Sequence, residues 1–157
     1  MSCQLRLDHY QIEYVAVAQN DGYDAALSSH TGDISSSINI SPHKKDPSRY
    51  RLRLEVQVKP TAKKEKEFFP YQVAIKGRAF FDIKDASSPE ETNKFLRLNG
   101  AAILYGLLRA QVAQITAQSV HGQFLLPTMN FVEAAKAEPK AKANKTLKKG
   151  KDSPKTV

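Results

Sequence analysis

The chain has 157 residues, which suits one ordinary domain and little more. Hydrophobic residues make up 41% and charged residues 25%, with a formal charge of +8; that is enough apolar material for a real core and excludes full disorder. No window reaches the roughly 18 consecutive apolar residues of a membrane span, Met1–Arg6 lacks the apolar stretch of a secretory signal, and the lone Cys3 can form neither an internal disulfide nor a thiolate zinc site. The expectation is a soluble, cytoplasmic protein without membrane insertion.

The first strand is expected from Leu5 to Ala18. Leu5 and Leu7 are in phase with each other but out of phase with Ile12 and Tyr14, which predicts a bulge near Asp8–Tyr10. Asp21–Ser48 reads as a long link carrying one short strand around Ile34–Ile40. The clearest strand is Tyr50–Lys59, where Tyr50, Leu52, Leu54, Val56 and Val58 alternate strictly with polar residues. Such alternation marks an antiparallel strand with one dry and one wet face, and Pro60 ends it. The next strand, from about Phe69 to Ile83, puts Tyr71, Val73, Ile75, Gly77, Ala79, Phe81 and Ile83 on one face, while Phe80 stands on the wet side.

The period then changes. Ser88-Pro89-Glu90-Glu91 is a helix start, with serine as cap, proline at the first helical position and glutamate three residues after the cap. A short first helix runs to about Leu98, and Asn99-Gly100 predicts a break or kink. A long helix follows from Ala101 to about Val120, stopped by His121-Gly122. Its apolar stripe, from Ile103 through Leu108 to Ile115, is wider than one sheet contact requires. Within it runs the row Gln111, Gln114 and Gln118, at a spacing that suits either a solvated edge or a subunit interface in which amides pair.

Residues 135–157 hold eight lysines against Glu138 and Asp152, a net of +6, so residues 1–134 carry only +2. With no aromatic and two large aliphatics, this tail cannot offset its ordering entropy and is expected to be disordered. The organisation is thus a domain over 1–134 and a Lys-rich tail over 135–157.

Catalytic constellations are lacking. His9, His30, His43 and His121 are scattered without metal-ligand spacing, and there is no nucleophile elbow, P-loop or dinucleotide fingerprint. Glu90 and Glu91 meet a helix dipole, which explains them without catalysis. The expectation is a protein that is not an enzyme and needs no cofactor or metal. The tail permits nucleic-acid or acidic-surface binding, but it offers no aromatic to stack on bases and no Arg to fork onto guanine. More distinctive is the apolar, proline-interrupted segment Gln123–Phe131 after the long helix. It either lies down as a lid on the core or, beside the aromatic-bearing strands, presents a hydrophobic groove.

The order of elements, the helix segment Ile103-Leu104-Tyr105-Gly106-Leu107-Leu108-Arg109-Ala110, and above all Phe124-Leu125-Leu126-Pro127-Thr128-Met129-Asn130-Phe131 resemble the SecB family of protein-export chaperones. The last segment is similar to the family's Leu-x-Leu-x-Pro-(Val/Ile)-Asn-Phe signature, and the match spans roughly residues 5–134. The resemblance implies an α+β fold, a four-stranded antiparallel sheet with a long helix and a short C-terminal helix packed on one face. It also implies a homotetramer, a dimer of dimers with the long helices between dimers, which would place Gln111, Gln114 and Gln118 at a subunit contact. The implied activity is ATP-independent holding of unfolded polypeptides for export or for a dedicated client such as an antitoxin. The implied client-binding residues are Phe124, Leu125, Leu126, Met129 and Phe131 in the loop, with Tyr71 and Phe80 from the strands. Soft Met and flat aromatics suit many client sequences.

The sequence departs from the family pattern at Thr128, where proline is usual, and at Tyr105-Gly106, which replace Phe-Pro. Typical members are acidic and dock the SecA motor through carboxylates on the exposed sheet face. Here that face carries Arg51, Arg53 and Lys59 with Glu55 the one carboxylate among them. SecA is therefore a partner that the resemblance implies and the charge pattern opposes.

Overall fold

A computed structural model describes residues 4–26, 32–60, 69–86 and 88–133. Four strands, β1 (Gln4–Gln19), β2 (Gly32–Pro42), β3 (Arg49–Pro60) and β4 (Tyr71–Lys84), form one antiparallel sheet in the spatial order β1-β4-β3-β2. The expected Lys-rich tail lies outside the described residues.

The two central strands carry the strict alternation seen in the sequence. Leu52, Leu54, Val56 and Val58 of β3 are fully buried, and β4 buries every second residue from Tyr71 to Ile83. The register sets Leu54 opposite Gly77 and Val56 opposite Ile75, so the two apolar rows share one face. β2 is longer than the short strand expected and pairs with β3 along its whole length, Ile38 facing Leu54 and Ile40 facing Leu52.

β1 follows the sheet by means of two irregularities, one between Leu7 and His9 and one between Ile12 and Tyr14. The first is the predicted bulge, at Asp8. The second, at Glu13, is an addition. Each extra residue reverses the side-chain phase. The residues set opposite the buried positions of β4 are therefore Leu5 and Leu7, then Tyr10 and Ile12, then Val15 and Val17. Tyr14 consequently stands opposite Lys76 on the solvent face, not in phase with Ile12.

Ser88 caps α1 (Pro89–Phe95), its hydroxyl accepting from Glu91 N–H at 3.2 Å. Asn99-Gly100 does not break the chain. A π-helical turn, Leu96–Gly100, joins α1 to α2 (Ala101–Thr116) with helical backbone throughout. Gly100 is buried here because a Cβ would stand 3.2 Å from Leu52 and 3.3 Å from Leu96. Gly77 is the other point of close approach, since a Cβ there would meet Leu108 at 2.8 Å. Between the helices and one sheet face lies the core, in which Leu96, Leu104, Leu108 and Val112 are fully buried against β3 and β4. α2 ends one turn before the expected position, and Gly122, with φ of 75°, closes that turn through its N–H to Ser119 O at 2.9 Å.

Candidate functional site

The apolar segment after α2 has no regular structure up to Asn130, yet its backbone is fixed at several points. Tyr71 Oη donates to Gly122 O at 2.8 Å and accepts from His121 N–H at 3.0 Å. Thr116, fully buried at the end of α2, accepts from Phe124 N–H at 2.8 Å and donates to Val112 O at 2.8 Å. Arg109 Nε donates to Leu126 O at 2.6 Å, and Tyr105 Oη donates to Pro127 O. Burial raises the Tyr105 hydroxyl above its ordinary pKa, the Arg109 charge opposing in part, so it stays protonated and able to donate. A loop without a ladder must find partners for its buried polar groups, and here α2 and Tyr71 of β4 supply them.

This anchoring sorts the candidate client-binding residues. Phe124 and Leu126 turn inward, Phe124 packing at ring-centroid distances of 5.6 Å from Phe69 and 6.1 Å from Tyr71. Phe131 packs edge-on against Tyr105 at 5.5 Å and opens a final helical stretch, of which residues 131–133 are described. Tyr71, Phe124, Leu126 and Phe131 are thus buried within the one chain and form the bed of the segment. Leu125, between two buried neighbours, is 54% exposed; Met129 is half-buried at the core's edge. Val120 and Val132, at the two ends of the segment, are also exposed. Phe80 lies apart from this group on the opposite face of the sheet, stacked on His9 at 4.4 Å.

The outward side of α2 carries no charge. Ala102, Ile103, Gly106, Ala110, Gln114 and Ile115 are exposed, Leu107 and Gln111 are half-buried, and the helix has one charged residue, Arg109, which is held to the loop. Gln118 falls in the turn after α2 and is exposed. The glutamine row therefore faces outward from the domain, within an uncharged surface of small and aliphatic residues. Sequence spacing located the amides; the absence of any charge around them is visible only once the buried side of the helix is known.

The solvent face of the sheet is an ion network. The two bulge residues supply two of its acids: Glu13 accepts from Arg53 at 3.0 Å and lies 3.5 Å from Arg78, while Asp8 lies 2.9 Å from His9 and 3.8 Å from Arg49. Asp82 accepts from Arg49 at 3.0 Å and Arg6 at 2.8 Å, and those hydrogen bonds hold its carboxyl below the ordinary pKa. Among the described residues no three His, Cys, Asp or Glu side chains gather as they would around a metal, and no helix is long and apolar enough to cross a membrane.

A four-stranded antiparallel sheet covered on one face by a long helix, with an apolar loop hydrogen-bonded to that helix, defines an α+β domain of SecB-like architecture. The fold is similar to that of the Mycobacterium tuberculosis Rv1957 SecB-like chaperone, solved in complex with a ChAD peptide from the Rv1956 HigA1 antitoxin. The TM-score is 0.59 at 15% identity, over 80% of this chain and 91% of that one. It is also similar to a Streptococcus agalactiae protein of unknown function, with a TM-score of 0.51 at 8% identity over 82% of this chain and 100% of that one. No curated protein matches the chain in sequence. The family model described as preprotein translocase subunit SecB matches residues 6–141, and the chain belongs to the SecB family.

Proposed function

We propose that the chain is the subunit of an oligomeric, nucleotide-independent chaperone that holds non-native polypeptides and catalyses no reaction. The observation that carries this reading is the anchored segment 121–131, whose backbone is tied to α2 and β4 while Leu125 is left exposed between buried neighbours. A loop held in place presents an apolar group without an ordering cost at each encounter, which suits weak binding of many sequences. Met129 forms the remainder of the client surface, supported from beneath by the buried aromatics, and Phe80 stands apart on the far sheet face. The M. tuberculosis relative, bound to an antitoxin peptide, supports an extended segment of a dedicated protein as one client class; family membership supports export as another. The work of such a chaperone is cytoplasmic.

Affinity arises from multivalency, several weak apolar contacts on one assembly acting at high effective concentration. The assembly is a homotetramer, a dimer of dimers. The uncharged outward face of α2 with Gln111, Gln114 and Gln118 supports one contact. The long free edge of β1, where Tyr10, Tyr14 and Val15 are exposed, supports another. The arginine-rich sheet face disfavours docking of SecA through carboxylates.

The test is suppression of aggregation of an unrelated unfolded protein without ATP, at low and moderate salt, with the full chain and its Leu125→Asp variant. Wild type should suppress aggregation at both salt concentrations, since apolar binding does not weaken with salt. Leu125→Asp, at an exposed position, should leave the fold and assembly intact while each client contact loses about 1.5–3 kcal/mol. Steep loss of wild-type activity between the two salt concentrations would instead assign binding to charge, as a nucleic-acid or acidic-surface module requires. Normal holding by Leu125→Asp would place the client surface elsewhere.

A further inference from the structure

The solvent face of the sheet carries a feature that polypeptide holding by the apolar loop does not use. At its end near the start of β3, a cleft of about 860 Å³ is bounded by His9 and Phe80 below and by the β2–β3 connection, including Lys44 and Lys45, at the side. The connection is held in shape by His43, whose Nδ1 accepts from the N–H groups of Lys45 and Asp46 at 3.2 Å each. Two carboxylates line the cleft, and both are occupied: Asp82 by Arg49 and Arg6, Asp8 by His9 and Arg49. Arg51, Lys44 and Lys45, in contrast, enter no ion pair among the described residues. The same holds for Lys76 and Lys59 further along the face. The cleft therefore has a surplus of positive charge with unused donors, and the surplus continues along β3 and β4.

We propose that this face docks an acidic, extended polypeptide segment whose carboxylates meet Arg51, Lys44 and Lys45 in the cleft and whose continuation runs toward Lys76. Alternate residues of an extended chain recur at about 7 Å, the same repeat at which same-face side chains of a strand recur, so acidic residues at alternate positions match the cations of the cleft, and neutral residues take their place where Glu13 and Glu55 stand. A polyphosphate fits less well. Phe80 is already stacked by His9, and the Arg78 guanidinium lies 6.0 Å from its centroid, so within the cleft that ring is not open to a base. Glu13 and Glu55 interrupt the cations further along. A continuous phosphate backbone would be repelled there, whereas a peptide passes the same points with neutral residues. Because this surface lies across the sheet from the apolar loop, the docked partner and a held client do not compete for the same side chains.

The experiment is fluorescence anisotropy with the full chain and a labelled peptide of alternating Glu and Ala. An alternating Lys and Ala peptide and an oligothymidylate serve as comparison probes. The Glu-Ala peptide should bind and the Lys-Ala peptide should not. The triple variant Lys44→Glu, Lys45→Glu, Arg51→Glu should weaken Glu-Ala binding by more than about tenfold, three contacts, two exposed and one half-buried, each contributing a few-fold and each being reversed. If the reversed chain fails to fold by circular dichroism, Lys44→Ser, Lys45→Ser, Arg51→Gln provides the same comparison with a smaller loss. Aggregation suppression by the variant should be unchanged, which separates this surface from the loop. Unaltered Glu-Ala affinity in the folded variant would assign binding to the lysines of the tail and overturn the proposal. So would absence of binding by wild type, or tighter binding of oligothymidylate lost through the same three residues.

Discussion

Replacing Gly106 by Glu tests the outward face of α2 through a reversal of sign. Nothing lies within 4 Å of a Cβ built at Gly106, so the isolated subunit has room for a side chain there. Glycine in a helix interior costs up to about 1 kcal/mol relative to alanine, and glutamate recovers roughly half of that or more. If this face met only water, Gly106→Glu would raise the stability of the subunit by about 0.5 kcal/mol and do nothing else. If it meets the same face of another subunit, the new carboxylates are brought together in a region where Ile103, Leu107, Ala110 and Gln111 offer no cation. Desolvating like charges without partners costs several kcal/mol and dissociates the contact. Light scattering coupled to gel filtration measures the assembly, and urea unfolding at matched subunit concentration measures stability, since oligomerisation itself shifts the apparent value. Gly106→Ala is the control that adds a methyl group without charge. The expected result is a smaller assembly for Gly106→Glu with the secondary structure of the wild type. Wild-type assembly by Gly106→Glu would refute the placement of a subunit contact on this face.

Three further outcomes follow from the same geometry. Thr116→Val removes the acceptor of the buried Phe124 N–H and should cost about 1–3 kcal/mol. In hydrogen exchange the Phe124 amide should lose protection in that variant and keep it in Thr116→Ser; protection retained in Thr116→Val would show that the hydroxyl does not hold the loop. Gly77→Ala should destabilise by about 1–3 kcal/mol through overpacking against Leu108, as read from denaturant midpoints, with Leu108→Val partly restoring it in the double variant. Asp82, whose pKa is lowered by Arg49 and Arg6, stabilises the fold above the unfolded carboxyl value of about 3.9, and that contribution is lost as pH falls through the lower folded value. The stability gap between wild type and Asp82→Asn should therefore persist from about pH 7 to about pH 5 and close below about pH 4; a gap that stays constant into acid would sink this account.

The strands whose pattern is uninterrupted were legible because burial on one side and water on the other leave a period of two in the residue types. β3 and β4 have that pattern in full, and their observed inward faces are the expected ones. β2 was under-read because serines occupy both of its faces: Ser36 stands opposite Val56 on the core side, where an aliphatic residue would have announced the strand. In β1 the break of phase after Leu7 revealed the Asp8 bulge. The second, at Glu13, was hidden because Ile12 and Tyr14 share a parity, and only the pairing with β4 shows that they face opposite ways.

For the candidate site, the residue types establish what is available: an apolar segment after an amphipathic helix, an amide row, a capped helix start and a basic excess. Packing selects which of them can act. Gly100 lies in a continuous helix, not a break, because its missing side chain lets the helix settle onto Leu52 and Phe81. Leu125 and Leu126 are adjacent and chemically identical, yet one is exposed and the other fully buried. That difference is set by Thr116, Arg109 and Tyr105, which reach the loop across 8 to 22 residues of sequence. Likewise Arg53 and Arg78 are paired while Arg51 is not, because the Glu13 bulge on a distant strand falls beside the first two. Local pattern reports how much apolar or charged surface a segment has; which atoms remain unsatisfied depends on partners far along the chain, and those are fixed only when the layers pack.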